Sequence, residues 1–236
     1  MSASSTASLL TFERVALPAA STGARPLAGV DLDLAPGGLA LVQVPRGPGA
    51  ATLGEAAVGL LAPFKGLVRF MGSVWSDVSG ARAIELRSAI GRVYEQTEWV
   101  SNLNVDENVI LASCHHGSRP EEEIVDEALG LAQGFGLSEL SSSRPDLVGH
   151  SELRACALVR AFLGEPTLLV LERPLRGVAD QLFKPLVKEV SRARARGAGV
   201  LWMTPEERVL DSGELQADVR YVLEAGGLRG PEGDPS

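Results

Sequence analysis

Residues 44–52 read Val-Pro-Arg-Gly-Pro-Gly-Ala-Ala-Thr, between an apolar run, LALVQV, and LGEAAVGLL, whose Ala, Leu and Val recur at helical spacing. An apolar strand, a Gly/Pro turn and a helix in that order frame a phosphate-binding loop, where backbone N–H groups at a helix start cradle phosphate oxygens. The full pattern, G-x-x-x-x-G-K-[ST], also needs a lysine against the β/γ charge and a hydroxyl on magnesium. Here Val44 takes the first glycine position, Gly47 and Gly49 remain, Ala50 takes the lysine position, Ala51 the first hydroxyl position, and Thr52 follows. The chain's lysines, Lys65, Lys184 and Lys188, all lie elsewhere. A partly buried ion contact of this kind is worth on the order of several kcal/mol, or roughly a hundredfold and more in affinity. Arg46 flanks the loop, but a guanidinium differs from an ammonium in reach and geometry. Arg46, Gly47, Gly49 and Thr52 are therefore a remnant of a phosphate site, and a strand–turn–helix corner without phosphate chemistry is the preferred reading.

Composition narrows the partners. The 236 residues suffice for one large domain or two small ones, and the 45% apolar share fills a core of ordinary size. A net charge of −8 argues against nucleic acid, whose phosphates call for a basic surface. Cys114 and Cys156, the two cysteines, have no zinc-type spacing and read as buried free thiols suited to a reducing cytoplasm. MSASSTASLL lacks the basic residues and long apolar run of a signal peptide, and no stretch reaches the ~20 apolar residues of a membrane helix. The expectation is a cytoplasmic chain, or one held at the inner face of the cell membrane through a partner.

The surrounding pattern must position these residues. Apolar strands are expected at 39–44, 167–171, 199–204 and 218–223, alternating with helices, which implies an α/β fold with a mainly parallel sheet. LTFERVAL and the alternating LAGVDLDLAP add two early strands as an antiparallel edge. Residues 52–61 read as a helix. Acids follow Pro120, and Ile124, Ala128, Leu131 and Phe135 share one face of an amphipathic helix. QLFKPLVKEVSRARARG is a helix kinked or restarted near Pro185. Residues 1–9 and 229–236 read as flexible ends, 10–228 as the domain, and about 75–155 as a helical insert.

The linked segments resemble the ATP-binding subunit of ATP-binding cassette (ABC) transporters, from about Leu10 to Leu228, with its P-loop NTPase-like fold. RPLAGVDLDLAPGGLALV is similar to the strand pair before the phosphate loop, and IGRVYEQTEWVSNLNVDENV to the stretch around the Q-loop. SELRACALVRAFLGEPTLLVLERPLRGV resembles the signature helix running into the second nucleotide strand. VLWMTPEERVLDSGELQADVRYVLEAGGL resembles the switch and closing hairpin. The Q-loop segment leans toward the phospholipid-trafficking (Mla-like) members.

What the resemblance implies, position by position, is lost chemistry. An adenine-stacking aromatic belongs near Pro18 or Ala19, and the nearby Phe12 suits a core better. Glu95 takes the Q-loop glutamine position with Gln96 one place late, and Glu95 reads as a solvated acid. The signature falls on Val148–Glu152, where His150 and Ser151 replace glycines that would approach a γ-phosphate. Glu172 replaces the magnesium-orienting aspartate, and Arg173 replaces the water-polarising glutamate, reading instead as a surface or interface ion-pair residue. Ala179 takes the D-loop aspartate position, beside Asp180, and Pro205 the switch histidine position. Such groups act as one unit, so losing them together is expected to abolish hydrolysis.

Two readings follow from the resemblance, with a third beside them. The first is a pseudo-ATPase that docks on a membrane-spanning transporter subunit, a second ATPase subunit, or both, through a groove at Tyr94, Glu95, Gln96, Trp99 and Val100. It needs no cofactor and has no catalytic or metal residue, and oligomerisation is allowed. The second is an ATP-binding subunit that keeps ATP and magnesium through Arg46, Thr52 and Glu172. The third is a scaffold without a membrane partner. Trp99 and Trp202 read equally as groove or core residues.

Overall fold

The structure is a computed structural model that describes residues 8–19, 25–45, 50–96, 98–116, 119–224 and 226–230. Three apolar runs build its centre. β3 (Leu39–Gln43), β7 (Leu168–Glu172) and β8 (Gly199–Thr204) are buried almost throughout. Such runs suit parallel strands covered on both faces. They lie in a six-stranded sheet of order β10-β9-β3-β8-β7-β6, with β6 (Ile90–Val93), β9 (Val219–Glu224) and β10 (Gly227–Arg229). Every neighbour pair is parallel except the terminal hairpin β9–β10.

Alternate residues of these strands serve two cores. Leu39, Leu41, Leu169, Leu171, Val200 and Trp202 face one; Ala40, Val42, Leu168, Val170, Leu201 and Met203 face the other. The first core takes α3 (Val105–His116), α4 (Glu121–Gly134), α5 (His150–Phe162) and α6 (Ala179–Ala195). The second takes α1 (Ala50–Ala57) and a separate antiparallel sheet of order β2-β1-β4-β5. Its strands are β1 (Leu10–Leu17), β2 (Leu27–Leu34), β4 (Lys65–Phe70) and β5 (Ser73–Val74). The early strands thus form their own sheet rather than an edge of the main one. In β2, Val30, Leu32 and Leu34 are buried while Asp31 and Asp33 are exposed, as the alternation requires. α2 (Gly80–Ser88) and the four-residue α7 (Glu207–Leu210) complete the α-helices of the described residues, and a 3₁₀ turn spans Pro145–Leu147.

Helix ends and faces follow local chemistry. Glu121, Glu122 and Glu123 fill the first turn of α4, where the helix dipole favours acids. Ile124, Ala128 and Phe135 are buried, and Leu131 packs on the same core half-covered. α6 runs as one continuous helix through Pro185. α1 starts at Ala50 and ends at Ala57, earlier at both ends than its spacing suggests. Cys156 is buried, with its thiol pushed up to about 12, chiefly by burial; Cys114 is exposed, against expectation. Phe12 and Trp202 are core residues.

A close approach sets the position of β6. A Cβ on Gly91 would fall 1.8 Å from the backbone oxygen of Ala161 in α5. Backbone cannot turn aside as a side chain can, so Gly91→Ala must push strand and helix apart. The expected cost is about 1–3 kcal/mol, the usual range for overpacking, read as a lower midpoint in urea at unchanged slope.

Candidate functional site

The parallel strands deliver their carboxyl ends to one edge of the sheet, the edge at which open α/β sheets form their crevice. Pro45 follows β3, Tyr94 and Glu95 follow β6, Arg173 follows β7, and Thr204 ends β8. A cleft of about 590 Å³ opens there, lined by Ala51 and Glu55 of α1, by Arg92, Tyr94, Glu95 and Gln96, and by Glu172, Arg173 and Arg176.

Glu172 ends β7 only 1% exposed. Its Oε1 accepts from Arg92 Nε at 2.7 Å and lies 2.6 Å from Arg92 Nη2, while its Oε2 accepts from the Glu95 N–H at 3.4 Å. Burial pushes the Glu172 carboxyl up to about 7, and the Arg92 charge and hydrogen bond oppose that rise without cancelling it. The carboxylate presses on α1 at Gly54, where a Cβ would fall 2.1 Å from Oε1. The magnesium-orienting position of the resemblance is thus turned onto an internal arginine.

Arg173 is 7% exposed, so it is buried rather than a surface residue. Its Nη1 donates to Glu95 Oε1 at 2.8 Å, and its Nη2 donates to the Pro45 carbonyl. Arg176 Nη1 reaches the same Glu95 oxygen at 3.3 Å. Glu95, expected to be a solvated acid, is instead shared by two guanidiniums. An opposite charge within reach holds it where solvation alone would not.

The neighbouring loop is pinned by further arginines. Arg154, 1% exposed, donates from Nη1 and Nη2 to the carbonyls of Tyr94 and Glu95, each at 2.9 Å. Arg92 lies 4.3 Å from the centre of the Tyr94 ring, and Arg160 4.6 Å from that of Trp99. Arg160 also donates to the Glu98 carbonyl at 2.9 Å. Beyond the loop lies a second cleft of about 480 Å³, lined by Tyr94, Trp99, Val100, Leu111 and Arg160 among others. Tyr94, Trp99 and Val100 therefore share one groove, while Glu95 and Gln96 line the first cleft. Trp99 is partly buried and Val100 exposed.

Other expected positions are scattered. Arg46, Gly47 and Gly49 lie outside the described residues. Ala50, Ala51 and Thr52 open α1; Ala50 and Thr52 are buried, and Ala51 faces the cleft. His150 begins α5, its Nε2 3.2 Å from the Arg176 carbonyl, and Ser151 Oγ donates to Gln181 Oε1 at 3.0 Å. Both side chains bond within the chain itself. Arg92, Arg154 and Arg176 escaped the sequence reading. One signal was available: Arg154 and Arg160 interrupt the apolar run of α5, and an arginine there needs a partner.

No family model matches the chain. The uncharacterized ABC transporter ATP-binding protein YthP of Bacillus subtilis is 29% identical over 202 residues, 86% of this chain and 78% of that protein. The lipoprotein-releasing system ATP-binding protein LolD of Novosphingobium aromaticivorans is 29% identical over 191 residues, 78% of this chain and 82% of its own. The dimeric structure of MJ0796, a bacterial ABC transporter cassette, shares the fold with a TM-score of 0.81 over 95% of this chain and 100% of that one, at 19% identity. The chain is thus similar in sequence, over most of its length, to ABC transporter ATP-binding proteins, and it shares the fold of an ABC transporter cassette.

Proposed function

We propose that the chain is a catalytically degenerate ATP-binding-cassette subunit that docks on a membrane-spanning transporter subunit, or on a second ATPase subunit, and does not hydrolyse ATP. The observation that carries this reading is the Glu95–Arg173 ion pair, 2.8 Å long, in the cleft where the family's chemistry would take place. A guanidinium is already protonated and has no lone pair with which to take a proton from water, so it cannot act as a general base. The described residues fit a magnesium triphosphate poorly. Glu172 is committed to Arg92, and Ala50 offers a methyl group where an ammonium would be needed. The docking face is the groove at Tyr94, Trp99 and Val100, since a partly buried tryptophan in a cleft is the usual form of a binding anchor. No helix of the described residues is long and apolar enough to cross a membrane, which is consistent with recruitment by a partner.

The kinship with proteins named as ATP-binding favours a second reading, in which this chain still binds ATP and magnesium through Thr52, Glu172 and Arg46. The relatives do not single out the phospholipid-trafficking branch, one being named for lipoprotein release. Phosphate release by the purified chain with ATP and magnesium separates the two readings: none above buffer is expected, and steady turnover overturns the proposal. In membrane capture, Trp99→Ala is expected to weaken partner binding at least about tenfold, as truncating an aromatic anchor does. Undiminished capture would place the docking face elsewhere.

A further inference from the structure

The loop between the cleft and the groove is held in an unusual way. Residues 94–99 lose three backbone carbonyls to guanidiniums: Tyr94 and Glu95 to Arg154, and Glu98 to Arg160. Two of its rings, Tyr94 and Trp99, lie under Arg92 and Arg160. The carboxylate of Glu95 is shared by Arg173 and Arg176. Five arginines from β6, α5 and the turn after β7 thus fix one short segment.

Arg173 stands apart from the other four, because it also reaches across the cleft. Its Nη2 donates to the Pro45 carbonyl, at the start of the phosphate-loop remnant, while its Nη1 holds Glu95. Its backbone sits at φ +43°, a left-handed conformation that side-chain-bearing residues seldom adopt. The backbone N–H is fixed by the Met203 carbonyl at 2.8 Å. A strained conformation persists only where the surroundings over-determine it, and such positions cluster at functional elements.

We propose that Arg173 is an internal cationic tie, joining the end of β3 to the 94–99 loop so that the partner-facing groove keeps its shape with no ligand in the cleft. A bound ion or nucleotide is not needed to bridge the two segments, because the protein's own guanidinium already does so. Groove and cleft share Arg92, Tyr94 and Glu98, so what fixes the loop on one side fixes it on the other. This deepens the docking reading and rests on it for its biological meaning, but its physical content concerns the isolated chain.

Hydrogen exchange read by mass spectrometry tests the tie. In the wild type, peptides spanning 39–45 and 90–100 are expected to exchange at the same rate with and without millimolar ATP and magnesium. Arg173→Ala is expected to speed both peptides roughly tenfold, the mark of easier local opening. Should Arg173→Ala fail to fold, Glu95→Gln removes the same charge pair from its more exposed end and is expected to speed peptide 90–100 likewise. With both substitutions together, the increase in peptide 90–100 should fall short of the product of the two single increases, as for residues coupled by direct contact. Slowing of the wild-type peptides by ATP, or unchanged exchange in the variants, would overturn the tie. Phosphate release would instead count against the proposed function and leave the exchange comparison readable.

Discussion

Arg92→Ala is expected to lose about 3–5 kcal/mol of stability above pH 8, the usual cost of leaving one member of a buried ion pair alone. For a chain of this size that lowers the melting midpoint by roughly 10 °C. Both side chains are almost wholly enclosed, 6% exposed for Arg92 and 1% for Glu172, so water cannot step in. The loss should shrink as the pH falls, because Glu172 sheds its uncompensated buried charge by taking up a proton. The sign in the wild type follows from the raised carboxyl, whose causes are burial first and the opposing Arg92 charge second. Between the ordinary carboxylate value of 4.5 and about 7, the folded chain holds a proton that the unfolded chain has released. The contribution of Glu172 is therefore fully present below that window and is lost as the pH rises through it. Urea unfolding across the window should show stability falling with pH in the wild type and a flatter course in Glu172→Gln. An Arg92→Ala penalty that is the same at every pH would contradict this account of the pair.

Asn108→Ala is the second large effect. Asn108 is 3% exposed, and its side chain closes a whole turn. Oδ1 accepts from the Val100 N–H at 2.8 Å, and Nδ2 donates to the carbonyls of Val100, Leu103 and Asn104 at 3.0, 3.2 and 2.9 Å. Truncation takes these partners from the Val100 N–H and the Leu103 carbonyl, while the carbonyls of Val100 and Asn104 keep the N–H groups of Leu103 and Asn108; the cost is about 1–3 kcal/mol for each group that stays buried and unpaired. A total of roughly 3 kcal/mol is expected, since part of the turn can reach solvent. Asn108→Asp keeps the acceptor and loses the donor, so it should retain the Val100 N–H bond and still weaken the turn. Because Val100 lines the groove, both variants should also show faster hydrogen exchange at residues 99–104. Stability within about 0.5 kcal/mol of the wild type, the range of an ordinary surface change, would mean that the turn does not depend on this side chain.

Much of this architecture is legible in the sequence because it rests on periodicity. Buried runs such as TLLVL become inner parallel strands, and the spacing of Ile124, Ala128 and Phe135 sets the buried face of α4. The separate antiparallel sheet is less legible, because β1 finds β4 some fifty residues away and alternation says nothing of partners. The site shows the same limit more sharply. Glu95 reads as an exposed acid in its own stretch, yet its partners Arg173 and Arg176 lie 78 and 81 residues on. A glutamate at the Q-loop position and an arginine at the water-polarising position look like two separate losses when each is read alone. In the fold the two side chains meet as one ion pair. Arg92 and Glu172, 80 residues apart, form the second such pair. Trp202 is unreadable as groove or core from type alone, and burial decides it, whereas Phe12, which reads as a core residue, is one.

The central claim is that internal guanidinium–carboxylate pairs occupy the cleft in place of phosphate and magnesium. Equilibrium titration of the purified chain with a fluorescent ATP analogue and magnesium tests it most directly. The account predicts no saturable binding in the micromolar range. Micromolar affinity, with phosphates ordered against residues 46–52 in a crystal grown from that mixture, would contradict it.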